Sequence, residues 1–291
     1  MIPDTLRSAI AEALAVTGDS TPVRSLEPVG GGDISEAARV KTDRAHYFVK
    51  WNRRPLPNVF EAEARGLRLL ASARAVRVPG VIAVIERPPA LVLEWIDTRG
   101  AKSDASETLG RQLARQHRML GAGYGLDHDN YIGANPQRNE TAPTWIEFFR
   151  DRRLGFQMQL ARRNGYLDAR RERRLERLMS HLEKWIEESA CAASLLHGDL
   201  WGGNFVADAA GDPVLIDPAV YYGDREAEIA FTELFGGFGP RFYAAYGEAW
   251  PLAPGYAERR DLYNLYHLLN HLNLFGEGYG GSVDAILRRY V

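Results

Sequence analysis

A single change in hydrophobic periodicity constrains this chain more than any other feature, because side-chain spacing decides whether a segment buries one face as a strand or as a helix. Between Val23 and Trp95 the apolar residues fall in short β-rich runs punctuated by glycine and proline, at 36–42, 45–51, 81–85 and 90–96, which predicts antiparallel strands. One helix interrupts them at 59–73, where Phe60, Leu67 and Leu70 form an apolar stripe. Glu63 lies three residues from Phe60 and four from Leu67, so it points inward with them. Past Gly100 the spacing becomes helical, at 106–120, 144–164, 168–192, 226–235, 242–250 and 256–275. A further helix over 2–16 precedes Pro22 and Pro28 and is expected at the periphery. The pattern predicts an α+β chain with an antiparallel β-rich amino-terminal lobe over 1–96 and a mainly helical carboxy-terminal lobe over 97–291.

Composition removes several classes of function. With 45% hydrophobic and 25% charged residues the chain has the make-up of an ordinary folded protein. Its 36 basic and 38 acidic side chains nearly cancel, so there is no global positive field to gather polyanions, and nucleic acid is not an expected partner. Cys191 is the single cysteine and cannot form an intrachain disulfide. The amino terminus lacks a basic region followed by an apolar run, and no window approaches the length of a membrane span. A cytoplasmic protein with no membrane contact is therefore expected. Only four lysines occur, Lys41, Lys50, Lys102 and Lys184, which makes Lys50 easy to single out.

The chemistry is concentrated in Leu195 to Phe205, which contains His197-Gly198-Asp199 and Asn204, followed by Val214-Leu215-Ile216-Asp217-Pro218. This is H-x-D-x-x-x-x-N with an apolar strand ending in Asp, the spacing that phosphotransferases of the protein-kinase type use for a base and two metal ligands. Asp199 on a tight loop can accept a hydrogen bond from a substrate hydroxyl. Asn204, five residues on, offers a neutral oxygen to a magnesium ion, and Asp217 offers an anionic one. His197 is placed to brace the loop by hydrogen bonding rather than to take protons. Upstream, Gly30-Gly31-Gly32-Asp33 joins two predicted strands, and glycines there let backbone N–H groups approach phosphate oxygens. Tyr47 to Lys50 is an apolar strand ending in lysine, where a kinase-type lysine meets the α- and β-phosphates. Glu63 is its expected partner, in preference to Glu61, which shares an outer face with Arg65. Glu94, Trp95 and Ile96 close the last strand like a hinge whose backbone meets adenine.

These residues, in this order, resemble the fructosamine kinase family, also called ketosamine 3-kinases, within the wider aminoglycoside and choline kinase group. The distinguishing stretches are 197–204 with its tryptophan, the Asp-Pro-Ala continuation over 217–238, and 253–282. The run at 127–139 also resembles the family. The resemblance implies a bilobal protein-kinase-like fold with the nucleotide between the lobes. It implies transfer of the ATP γ-phosphate, with Mg2+, to the O3 hydroxyl of a small-molecule or protein-bound ketosamine. Such 3-phosphates decompose and release the amine, a deglycation repair. It makes Asp199 the base, Asn204 and Asp217 the magnesium ligands, Lys50 the phosphate contact with Glu63 its partner, and Trp201 a wall of the sugar site. A monomer or homodimer is expected. Two other readings stay open: a related kinase acting on an aminoglycoside, choline or a sugar amine, and a catalytically silent nucleotide-binding regulator.

Several polar clusters have both a substrate-side and a structural reading. Asp127, Asn130 and Gln137 fit contacts to a polar substrate alongside His197, or loop backbone and helix caps. His267 and His271 share a helical face, yet no glutamate follows His267 as in a zinc helix, so a structural role is expected. The stretch 150–177 holds ten arginines and four acids, which reads as the solvated outer faces of two helices.

Overall fold

A computed structural model of the chain describes residues 3–30, 35–54, 56–99 and 105–291. The first elements are helix α1 (Asp4–Val16), strands β1 (Val23–Val29), β2 (Glu36–Thr42) and β3 (His46–Trp51), helix α2 (Val59–Ser72), and strands β4 (Val81–Glu86) and β5 (Pro89–Glu94). The strands form one antiparallel sheet in the order β1-β2-β3-β5-β4. Its register sets Val49 opposite Ala38 and Val92, and Lys50 opposite Ala37 and Leu91. Successive strand residues face opposite ways, so burial of Val49 on the α1 side turns Lys50 to the other face. Helix α1, expected at the periphery, is instead part of the core. Leu6, Ile10 and Leu14, each at most 1% exposed, form one stripe against Ala38, Val40, Val49 and Val92. Burying each such aliphatic side chain contributes about 1.5–3 kcal/mol.

The remainder runs through α3 (Ser106–His117), β6 (Asn130–Ile132), β7 (Asn135–Gln137), α4 (Trp145–Phe148), a π-helical segment (Phe149–Gly155), α5 (Phe156–Arg163), α6 (Ala169–Met179), β8 (Ser194–Leu196), β9 (Phe205–Ala207), β10 (Pro213–Leu215), β11 (Tyr221–Gly223), α7 (Arg225–Leu234), α8 (Pro240–Ala249), α9 (Tyr256–Phe275) and α10 (Gly280–Tyr290). No helix among the described residues is long and apolar enough to cross a membrane. The helix expected over 168–192 stops at Met179. Two short 3-10 turns follow it, and Glu188 in the second accepts the free N–H groups of Trp145 and Ile146 at the start of α4. Trp145, Phe148 and Phe149 pack with Tyr221 and Tyr263 at the centre of this half. Arg153, wholly buried, lies 4.4 Å from the Phe148 ring and 3.9 Å from that of Tyr221, and donates to the Arg138 carbonyl and to Asn139 Oδ1.

The chain divides into two compact units, 1–104 with 206–216, and 105–205 with 217–291. The boundary expected at 96 does not include the return of 206–216 to the first unit. That return has local causes. The Leu215 N–H donates to the Arg77 carbonyl at 2.9 Å, and the Arg77 guanidinium joins Glu94 to Asp208.

Candidate active site

In the first unit, Lys50 is buried, and its Nζ lies 2.5 Å from Glu63 Oε1 of α2. The helical phase of Glu63 and the strand phase of Lys50 thus meet as an ion pair. The hinge residues are tied in by side chains. Glu94 accepts the Gly80 N–H at 3.0 Å and pairs with Arg77, while the Arg39 guanidinium lies 5.5 Å from the Trp95 ring. Ile96 follows in an irregular segment. Gly30 is exposed just past β1, and Gly31, Gly32 and Asp33 lie outside the described residues.

In the second unit a short ladder assembles the motif. Strands β8 and β11 pair antiparallel, with Leu196 opposite Tyr221, so the chain leaving β8 at His197 runs beside the chain that enters β11 from Asp217. The Ala219 N–H donates to the His197 carbonyl at 2.9 Å. Gly198 has φ +85, and a Cβ there would sit 2.0 Å from the Ala219 carbonyl oxygen, so only glycine fits. His197 is wholly buried, and its Nδ1 accepts the Asp199 N–H at 3.3 Å, a bracing contact. Asn204 donates to the Asp199 carbonyl at 2.8 Å and to Asp199 Oδ2 at 3.2 Å, which leaves Oδ1 as its acceptor. Asp217 adopts a left-handed backbone, φ 54, which a short aspartate tolerates. Burial, with the nearby charges of Asp217 and Glu228, pushes the Asp199 carboxyl up to about 7 against the lowering effect of Asn204. Two mutually repelling carboxylates beside an amide oxygen are a hard-oxygen donor set, which suits magnesium completed by phosphate oxygens.

Sequence reasoning missed two residues behind this loop. Glu228 of α7 accepts the Gly198 N–H through Oε1 at 2.6 Å, and its Oε2 meets His117 Nε2 at 2.9 Å. His117 Nδ1 lies 2.8 Å from the Tyr246 hydroxyl. Burial favours the neutral acid, but the hydrogen bond and charge of His117, with the Gly198 N–H, outweigh it, holding the Glu228 carboxyl below the usual range. No signal in the sequence singled it out: the structure buries the whole run 225–232, which holds both Glu226 and Glu228.

The proposed substrate-side residues fall into three places. Asn130 donates to the Val220 carbonyl at 2.8 Å, and Gln137 donates to the Ala219 carbonyl at 2.9 Å while accepting from the Tyr266 hydroxyl at 2.7 Å. Both therefore grip the backbone just after Asp217. Asp127 is exposed and beside His128 Nδ1. Trp201 is 42% exposed, two residues from Asp199. His267 stacks on Phe231 with ring centroids 3.5 Å apart, and His271 Nδ1 contacts the His267 carbonyl. Among the described residues no group of three or more His, Cys, Asp or Glu is placed to hold a metal. Burial and the charges of Asp224 and Glu188 drive the Cys191 thiol far above its usual value, so it is not a reactive thiolate.

Comparison with known proteins gives a consistent result. The family model described as fructosamine kinase matches residues 6–291. A protein-ribulosamine 3-kinase, chloroplastic, of Arabidopsis thaliana is 40% identical over 287 residues, covering 97% of this chain and 87% of the relative. A candidate fructosamine-3-kinase of Thermobifida fusca superposes with a TM-score of 0.87 at 32% identity, over 98% of both chains. A choline kinase of Streptococcus pneumoniae shares the fold alone, with a TM-score of 0.63 at 16% identity over 98% of both chains.

Proposed function

The chain belongs to the fructosamine kinase family, and from that premise we propose that it transfers the γ-phosphoryl group of ATP to the O3 hydroxyl of a ketosamine. Asp199, held by Asn204 and by the His197 brace, orients the O3 hydroxyl and accepts its proton as the new O–P bond forms and the bond to ADP breaks. Lys50, fixed by Glu63, meets the phosphates with its ammonium already oriented. When bound, a magnesium ion held by Asn204 Oδ1 and Asp217 would offset the charge on the phosphates. Glu228 fixes the backbone of Gly198, next to the base. Asn130 and Gln137 hold the chain after Asp217 in place rather than touching the sugar. The 3-phosphate product would break down to free the amine, which makes the activity a deglycation.

The observation that carries this reading is the convergence of Asp199, Asn204 and Asp217 through the β8–β11 ladder in a chain with a full-length family match. The test is ATP-dependent phosphorylation of fructosyl-, ribulosyl- and erythrulosyl-amines, with aminoglycosides and choline alongside. Transfer to the ketosamines is expected, and the Asp199→Ala variant should bind nucleotide yet lose turnover by at least ~1000-fold. Near wild-type turnover in that variant would remove Asp199 from its role, and transfer only to aminoglycosides or choline would overturn the substrate class.

A further inference from the structure

The loop carrying Trp201 is packed on a second loop that the roles above leave unused. A Cβ on Gly202 would lie 2.8 Å from Gly237 Cα, and one on Gly237 would lie 2.6 Å from Gly202 Cα. Gly236 and Gly237 both have left-handed backbones, φ 73 and 99. The two turns therefore meet backbone to backbone, and only glycine permits it. After the contact, Phe238 stacks on Phe205 with centroids 6.1 Å apart and meets Phe242 at a tilt with centroids 4.8 Å apart, which anchors that side. Before it stands Phe235, 41% exposed. Its ring sits edge-on to Phe231 at 5.8 Å and against His271 at 4.8 Å, so it is supported from behind. The Trp201 ring is likewise seated, since a Cβ on Gly203 would fall 2.3 Å from its Cη2. Among the described residues six large apolar side chains are exposed, and two of them, Trp201 and Phe235, flank this one contact. Rigidly held rings facing water are a binding surface in waiting.

We infer that Phe235, together with Trp201, receives the amine half of the ketosamine and determines which amines are accepted. The inference rests on the proposed function and deepens it. In a ketosamine the reacting O3 is two carbon–carbon bonds from the carbon that bears nitrogen. A substituent on that nitrogen thus leaves the sugar near Asp199 and passes first Trp201, then the turn locked against Gly202. The nitrogen is protonated near neutral pH, and a cation is attracted to ring faces. A hydrocarbon stem gains by leaving water for the same rings. Glu233, two residues before Phe235, is already engaged by Tyr256 and Arg260, so what this turn offers the amine is its aromatic surface.

The test takes whichever 1-amino-1-deoxyketose the wild type phosphorylates best, of fructose, ribulose or erythrulose, and compares kcat/KM for it and for its N-hexyl derivative. In the wild-type enzyme the hexyl compound is expected to be favoured about tenfold, mainly through KM. Phe235→Ser should cut that preference to about twofold, and Phe235→Leu, which keeps apolar bulk, should fall between. Melting temperatures of both variants check that each is folded. No preference in the wild type, or the same preference in folded Phe235→Ser or Phe235→Leu, overturns the inference while leaving the proposed function intact. Failure of the wild type to phosphorylate fructosyl-, ribulosyl- and erythrulosyl-amines alike overturns the proposed function itself, and this inference with it.

Discussion

Lys50 and Glu63 illustrate what a buried charge does for a site. Their side chains are only 9% and 13% exposed, so water does little to stabilise either charge. Removing one partner of a buried pair costs about 3–5 kcal/mol, whereas replacing both by apolar groups is close to neutral. Lys50→Ala should therefore lower stability in urea by about 3 kcal/mol. The double variant Lys50→Met with Glu63→Leu should recover most of that stability and none of the phosphoryl transfer. Equal loss of stability in the single and double variants would show that the pair matters only as packing. At Gly198 the constraint is steric, because a methyl group would collide with the Ala219 carbonyl. Gly198→Ala should displace the base by a large fraction of an ångström and lower kcat by about 100-fold, measured beside nucleotide affinity.

At the scale of elements, periodicity located most of the frame. The runs at 36–42, 45–51, 81–85 and 90–96 became β2 to β5, and 256–275 became α9. Within 144–164 the π-helical segment 149–155 was not legible, because a slight local unwinding leaves the apolar spacing almost unchanged. The bend after Met179 was hidden for a different reason. It goes with two tertiary hydrogen bonds that Glu188 accepts from residues more than forty positions earlier. Lys50 and Glu63 were legible since each follows the phase of its own element. Glu228 was not, because Glu226 and Glu228 look alike in α7, and only the fold sends the first to Arg259 and the second to Gly198. Asn130 and Gln137 gave a signal of polarity without direction, and the fold turns them onto backbone carbonyls. The role of α7 is testable through Glu228→Gln. An amide presents an N–H where the carboxylate accepted one, leaving a buried donor unmatched at about 1–3 kcal/mol. A lower melting temperature is expected, together with a fall in kcat larger than any change in KM for ATP. A variant that loses stability alone would separate α7 from the chemistry.

For the molecule as a whole, part of the stability lost in acid should come from a joint in the first unit. Asp19, just past α1, accepts hydrogen bonds from Thr21, from Thr42 of β2 at 2.7 Å and from the Tyr47 hydroxyl of β3 at 2.9 Å. The hydrogen bond from the Thr21 hydroxyl, with those from Thr42 and Tyr47, outweighs burial and lowers its carboxyl to about 2. A folded value below the unfolded one means that the contribution is complete above about pH 4 and is lost as pH falls toward 2. Urea midpoints at pH 5 and pH 3 should therefore differ less in Asp19→Asn than in the wild type. An identical difference in both proteins would remove Asp19 from the acid response.

The first unit also takes back residues 206–216 after the chain has built most of the second. A ribosome delivers the chain from one end, so Arg77 waits for Asp208 and Leu215 while more than a hundred residues are translated. At ordinary rates of synthesis that delay is on the order of ten seconds. The amino-terminal unit is then the first to begin but is not complete until residue 216 has been delivered, and a nascent chain stalled before residue 206 should expose its unfinished edge to chaperones and proteases.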